Sequence, residues 1–165
     1  MPVKAMPNAQ RSHAKRGHDR GDTLALCVLL FLADGCTRIA IVEQGIPAHV
    51  VEDLAALMDV PLNFLTRALC IPATKLRRYR RDFKLLGIGP SDRVLGLSCL
   101  IGCLAVMVQG SAAPADFDPS RWLATWLAMP VQALAGRRPA EFLSTRSGLR
   151  LIEDVLAMNT SGAYA

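Results

Sequence analysis

The chain has 165 residues, 52 % of them apolar and 20 % charged, with a net charge of +5. That length fits one domain or two small ones, and that composition excludes a disordered or collagen-like polymer. Aromatics supply only 5 %, and an apolar mass of Leu, Ala, Val and Ile without two-residue alternation points to an all-α fold.

Residues 1–21 carry Lys4, Arg11, Lys15, Arg16 and Arg20 against Asp19 and few large apolar groups. A flexible basic arm is the expectation there. Asp22 and Thr23 offer a helix cap, and the helix they start runs to Ala33 before Asp34-Gly35 ends it. A second helix over 38–44 stops at Gly45, a residue suited to a left-handed C-cap. Pro47 opens a helix to Met58 with Val50, Val51, Leu54, Ala55 and Leu57 inward, and with Glu52 and Asp53 near the positive end of its dipole.

Asp59-Val60-Pro61 breaks that helix. The next spans 62–69, with Phe64, Leu65, Ala68 and Leu69 inward. Cys70-Ile71-Pro72 then leads into a helix over 73–85 anchored by Leu76, Phe83 and Tyr79, which Gly87 and Gly89 terminate. Pro90-Ser91-Asp92 starts a long apolar helix over 94–108. Residues 110–118 read as a linker, and Asp118 caps a helix carrying Trp122, Leu123, Trp126 and Leu127, both tryptophans being core residues. A turn of helix after Pro130, a loop over 135–139, a short helix near 140–143 and a longer one over 148–158 complete the chain.

The run over 24–33 is too short to cross a bilayer, which takes about 20 residues. Gly96, Ser98 and Gly102 dilute the run over 94–108, so it reads as a buried central helix, with no membrane partner. The five cysteines are Cys27, Cys36, Cys70, Cys99 and Cys103. Their odd number, the lack of CxxC and the lack of a secretory leader give a reduced, cytoplasmic protein with buried, inert thiols. Cys99 and Cys103 lie one helical turn apart with no histidine nearby, and His13 and His18 fall in the arm. No metal and no cofactor is expected.

The positive charge concentrates in the arm and in residues 75–84, which hold Lys75, Arg77, Arg78, Arg80, Arg81 and Lys84 against Asp82. Two short helices joined by a tight turn, the second basic, form the pattern of a helix-turn-helix. Thr74, Lys75, Arg77, Arg78 and Arg81 project away from the Leu76/Phe83 side, a spacing that reaches base edges and phosphates of double-stranded DNA. The plainer reading is a solvated basic face.

No catalytic motif is present: there is no GxSxG, HExxH or phosphate loop. His49 and Asp53 lie four apart on one helix and read as a surface pair. The last third carries no catalytic group in a workable setting, which favours binding a protein over turning over a substrate. Arg137 and Arg138 in its loop read either as contacts to a partner carboxylate or as solvated charge.

The residues 69–78 (Leu-Cys-Ile-Pro-Ala-Thr-Lys-Leu-Arg-Arg), then Ser91-Asp92-Arg93, then Trp126-Leu127 with Pro130, Leu134, Gly136 and Pro139, then Leu143, Thr145, Gly148, Leu156, Gly162 and Tyr164, resemble the Xre/MbcA/ParS-type antitoxins. The likeness runs from about Ile41 to the end and is strongest in the last forty residues. It implies a helix-turn-helix DNA-binding and dimerisation domain over 22–110 and a small helical toxin-binding domain over 111–165. The implied partners are a neighbouring toxin, commonly of the RES-domain type and consuming NAD in relatives, the operon's own promoter DNA, and a second copy of the chain in a homodimer or larger hetero-oligomer.

The resemblance places toxin contacts on the tail, Asn159, Thr160, Ser161, Gly162, Ala163, Tyr164 and Ala165, whose alternative is a frayed end. Gly162 permits close approach, Tyr164 offers a flat anchor, and a chain end can thread a cleft. The chain departs from the family in several places. Met158 and Thr160 stand where relatives carry Arg and Glu, Cys70 stands for the turn glycine, and Thr74-Lys75 stands for Arg-Thr. The helix over 94–108 lacks the family's arginines, so exposed apolar surface suited to an interface is expected there. The rival readings are a stand-alone helix-turn-helix regulator with a dimerising or ligand-sensing C-terminal half, an enzyme, and a membrane-associated protein.

Overall fold

The computed structural model describes residues 9–110, 114 and 116–160, with side chains between 20 and 158, and among these it is all-helical. In chain order the helices are α1 (Ala9–Leu32), α2 (Gly35–Gln44), α3 (Val50–Met58), α4 (Leu62–Ala68), α5 (Ala73–Arg81), α6 (Ile88–Gln109), α7 (Pro119–Ala128) and α8 (Arg146–Thr160). Two 3-10 turns, Gln132–Leu134 and Pro139–Phe142, lie between α7 and α8. The pairings Pro47–Leu85 and Val131–Arg137 are isolated bridges, and no strand forms among the described residues.

The helix expected to start at Asp22-Thr23 starts at Ala9, so the expected flexible arm over 1–21 is helical from Ala9 onward, and residues 1–8 lie outside the described region. Ala9, Gln10, Arg11, Ala14, Lys15, Arg16 and Arg20 favour helix there, against Gly17 and Gly21. Arg20 is part of the fold: Nη1 donates to Ala56 O at 2.7 Å and Nη2 pairs with Asp118 at 2.9 Å. At the other end of α1, the Arg38 guanidinium donates to Leu30 O at 3.0 Å and to Phe31 O, capping carbonyls that the helix leaves open. Asp34 starts α2 by accepting from Thr37 N at 2.9 Å and the Thr37 hydroxyl at 2.7 Å. Those bonds hold the Asp34 carboxyl below its ordinary pKa.

Gly45 does end α2, with φ 91° and ψ 146°, outside the left-handed helical region expected for it. Glycine is required here by proximity too, since a Cβ would lie 2.6 Å from Leu86 O. Pro47 bridges to Leu85, which keeps the segment extended, and α3 begins only at Val50. Helix α5 is shorter than expected, ending at Arg81. Phe83 takes a positive φ of 51° and is 94 % exposed. It is therefore no anchor; α5 is held by Leu76, which is buried, and by half-buried Tyr79. Gly87 and Gly89 serve the next helix: Gly87 is the N-cap of α6, and Gly89 and Pro90 lie in its first turn, where a missing N–H is harmless.

Helix α6 is long and apolar enough to cross a membrane by length and composition, yet 61 % of that window is buried inside the protein. Helices α1, α2, α3, α7 and α8 pack on it. The exposed apolar face expected on 94–108 is thus filled from within, and Met107 alone among its large apolar residues is exposed, at 37 %. Gly102 lies directly under the α1 backbone, where a Cβ would collide with Cys27 O and come 2.8 Å from Phe31 Cβ. Gly96 accepts Leu149 of α8, whose methyl would meet a Cβ at 2.5 Å.

The core is continuous from Val42, Leu54 and Leu65 through Leu97 and Ile101 to Leu123, Leu127, Leu143 and Ile152. Trp122 and Trp126 pack partly buried on it with rings stacked 6.3 Å apart. Of the cysteines, Cys27 and Cys99 are buried, Cys103 is half-buried, and Cys36 and Cys70 are exposed, against the expectation that all are buried. Burial pushes the Cys27 thiol up to about 12, partly opposed by the Ser98 hydroxyl.

Replacing Gly102 with Ala is expected to lower stability by ~1–3 kcal/mol, the usual cost of overpacking a close helix crossing. Gly110→Ala, where the nearest atom to the new methyl is 3.8 Å away, serves as the control. Urea unfolding midpoints of the two variants measure the difference.

Candidate functional site

The connection between α4 and α5 spans 69–72, and its geometry follows from few residues. Leu69 and Ile71 are buried and fix the turn to the core, while Pro61 and Pro72 stand as N-caps of α4 and α5 in extended conformation. Cys70 between them adopts φ 49°, the left-handed conformation that a glycine takes without cost. Its N–H bonds to Arg67 O at 3.1 Å. Arg93 reaches across from α6, and its Nε donates to Leu69 O at 2.6 Å, which satisfies a carbonyl at the end of α4. Sequence patterning gives Arg93 no such position; its reach follows only from the folded arrangement.

On α5, Thr74, Arg77 and Arg78 are exposed. Lys75 lies over the Tyr79 ring at 5.3 Å, and Arg78 lies over the same ring at 5.6 Å. Arg81 pairs with the adjacent Asp82 at 3.1 Å, and Arg80 sits 3.0 Å from Glu52 of α3. The helix therefore commits Arg80 and Arg81 to neighbours, while Arg77 and Arg78 have no carboxylate partner among the described residues. The five residues expected to face DNA are brought to one helix, though not to equal freedom. His49 and Asp53 are 3.9 Å apart and exposed, as a surface pair would be.

The C-terminal third builds a second surface. Asp118 caps α7 by accepting from Ser120 N at 3.0 Å and Arg121 N at 3.1 Å, and Arg121 also reaches Asp59 at 3.1 Å. The turn that follows is set by Ala135 and Gly136, both at positive φ. Arg137 is internally engaged: Nε and Nη2 each lie 3.0 Å from Glu141, and its guanidinium stacks on the Phe142 ring at 4.4 Å. That guanidinium, and then the Arg138 N–H, hold the Glu141 carboxyl below its ordinary range. The Arg138 side chain is exposed and makes no ion pair among the described residues, though its charge also acts on Glu141.

Thr145 opens α8 by accepting from Gly148 N at 3.0 Å, and Gly148 is demanded because a Cβ there would collide with Phe142 O. Leu149, Ile152, Val155 and Leu156 bury one face of α8. Asn159 and Thr160 form its last turn, their side chains undescribed; Ser161, Gly162, Ala163, Tyr164 and Ala165 lie outside the described residues.

No three His, Cys, Asp or Glu side chains converge on a metal position among the described residues. A groove of about 580 Å³ separates the two surfaces, with Phe64, Arg67 and Cys70 on one side and Ala128, Arg138 and Ala140 on the other.

Residues 112–158 match the model of the antitoxin Xre/MbcA/ParS C-terminal toxin-binding domain. The chain is also similar to the Prs ADP-ribosylating antitoxin of Sphingobium sp. (strain YBL2), with 30 % identity over 152 residues that cover 92 % of this chain and 96 % of the relative.

Replacing Cys70 with Gly should relieve the left-handed turn and raise stability by ~0.5–1 kcal/mol, the balance of strain against glycine's chain entropy. Thermal unfolding checks it, and a lowered midpoint would mean that the thiol contributes packing the backbone geometry does not reveal.

Proposed function

The chain belongs to the Xre/MbcA/ParS antitoxin family, and from that premise we propose that it silences a RES-domain toxin with its C-terminal half and binds its own promoter DNA with its N-terminal half. As a family member it is a toxin-neutralising antitoxin rather than an enzyme. The observation that carries the toxin-binding reading is the match of the toxin-binding domain model over 112–158. This span holds the Asp118 cap, the Arg137–Glu141 turn and the buried face of α8.

Helix α8 is anchored by Leu149, Ile152 and Leu156, so whatever follows Thr160 leaves from a rigid base. On this reading Asn159 to Ala165 enter the toxin's cleft, with Gly162 allowing close approach and Tyr164 as the anchor. Arg137 and Arg138, both exposed in the same domain, add charge contacts to the toxin, Arg137 while also holding the turn through Glu141. The Sphingobium relative's name joins ADP-ribosylation to its antitoxin. ADP-ribosyl transfer draws on NAD, and the same reaction class is proposed for this chain's partner.

The DNA reading is supported by the exposed face of α5. Thr74, Arg77 and Arg78 stand at its outer side, with Lys75 and Arg81 flanking them. Residues 22–110 then form the DNA-binding and dimerisation unit, residues 111–165 the toxin-binding unit, and the complex works in the cytoplasm as a homodimer or larger assembly.

Removing residues 159–165 is expected to abolish rescue of cells from the neighbouring toxin while leaving operator binding intact. Growth on co-expression and a gel shift read the two halves separately, and surviving rescue would rule out the tail as the inhibitor. Arg77→Ala with Arg78→Ala should cost ~1–3 kcal/mol for each base edge no longer reached. The same pair should flatten the salt dependence of operator binding by about one for each phosphate no longer neutralised. Unchanged affinity and salt slope would remove α5 from the DNA interface.

A further inference from the structure

The groove between α4 and the C-terminal third lies between the two proposed surfaces, and of its lining only Arg138 belongs to either. Phe64 and Arg67 of α4 and Cys70 of the turn form one wall, and Ala128, Arg138 and Ala140 form the other. Its lining is mostly apolar, with a guanidinium contributed from each side. Arg67 and Arg138 are both exposed, and neither makes an ion pair among the described residues. The one acid in the lining, Glu141, is already held by Arg137 at 3.0 Å. The groove is therefore a largely apolar floor between two guanidiniums, neither in an ion pair among the described residues, with Glu141 beside Arg138, a composition suited to an interface core with an arginine rim.

Two features say what covers it. The charge calls for carboxylates. The far wall lies inside residues 112–158, the segment matched to a toxin-binding domain, so the groove continues that surface onto α4. Arg67, Arg138, Asn63 and Ser144 could also donate to a phosphate, but the apolar floor of Phe64, Ala68, Ala128 and Ala140 and its continuity with the matched segment favour a protein over a duplex. We propose that the toxin's footprint crosses the seam: an acidic segment of the toxin with an apolar side chain seats in this groove, paired with Arg67 on one side and Arg138 on the other. This rests on the toxin-binding reading above and extends it to a helix that the matched domain does not include.

The test uses the full-length chain and the purified toxin encoded beside it. Arg67→Glu should weaken the complex about tenfold or more at low salt, with the deficit shrinking at high salt, as charge reversal at an interface rim does. Arg67→Lys should keep most of the affinity. Thermal melts of the free variants confirm that the exposed substitution leaves the fold intact.

A second readout needs no variant. Cys70 lines the groove and Cys36 does not, and both are exposed. Toxin binding should protect Cys70 from a small maleimide while Cys36 still reacts, as mass spectrometry would read. Arg67→Glu binding the toxin as the parent chain does, with Cys70 equally reactive in the complex, overturns the groove proposal alone. So does a loss confined to operator DNA with toxin binding unchanged, since that assigns the groove to the duplex. A parent chain that binds no toxin at all overturns the proposed function itself, and the groove with it.

Discussion

The first turn of α6 holds the structure in register through Ser91, Asp92 and Arg93. The Ser91 hydroxyl, fully buried, accepts from Ile46 N at 3.0 Å and donates to Leu86 O at 3.1 Å. That ties the approach to α3 to the chain leaving the basic segment. Asp92 reaches Arg146 at the start of α8 at 2.6 Å, and Arg93 caps the end of α4. Three consecutive residues thus set the positions of a turn, a loop pair and a distant helix. The buried hydroxyl matters most, because each group it serves would otherwise be stranded, at ~1–3 kcal/mol apiece. The Asp92–Arg146 pair is partly exposed and contributes ~1 kcal/mol or less.

From that turn α6 runs through the middle of the fold, and its composition follows from being covered on several sides. A helix packed against a single layer shows one apolar stripe, whereas α6 is apolar around most of its circumference. Gly96 and Gly102 are the places where neighbours come closest, Leu149 entering at one and the α1 backbone at the other. Small residues there bring backbones near enough for dispersion contacts that larger side chains would hold apart.

Much of this arrangement is legible in the sequence because it is encoded locally. Asp118 before Pro119, Thr145 three residues before Gly148, and Pro61 and Pro72 at helix starts are short-range signals, and each marks an observed boundary. Cys70, at the position where the family resemblance implies a turn glycine, occupies a left-handed turn. The features that sequence patterning misses depend on distant partners. Phe83 has the spacing of a core residue, yet α5 stops at Arg81 and the positive φ turns its ring to solvent. Arg20 lies among basic residues that read as an arm, but Ala56 and Asp118, far along the chain, give it a place. Arg67 carries no local mark, and Arg138 is marked only as a loop charge. Only the approach of α4 to the turn over Pro139–Phe142 puts them on one groove.

The unbroken core has a consequence for how the protein fails. Leu123, Leu127, Leu143 and Ile152 rest against residues from the first hundred positions. Neither half can melt or be clipped away without uncovering apolar surface on the other. A cut inside the packed region after local opening would thus expose the core of the piece left behind, and the molecule would lose its shelter on both sides of the cut at once.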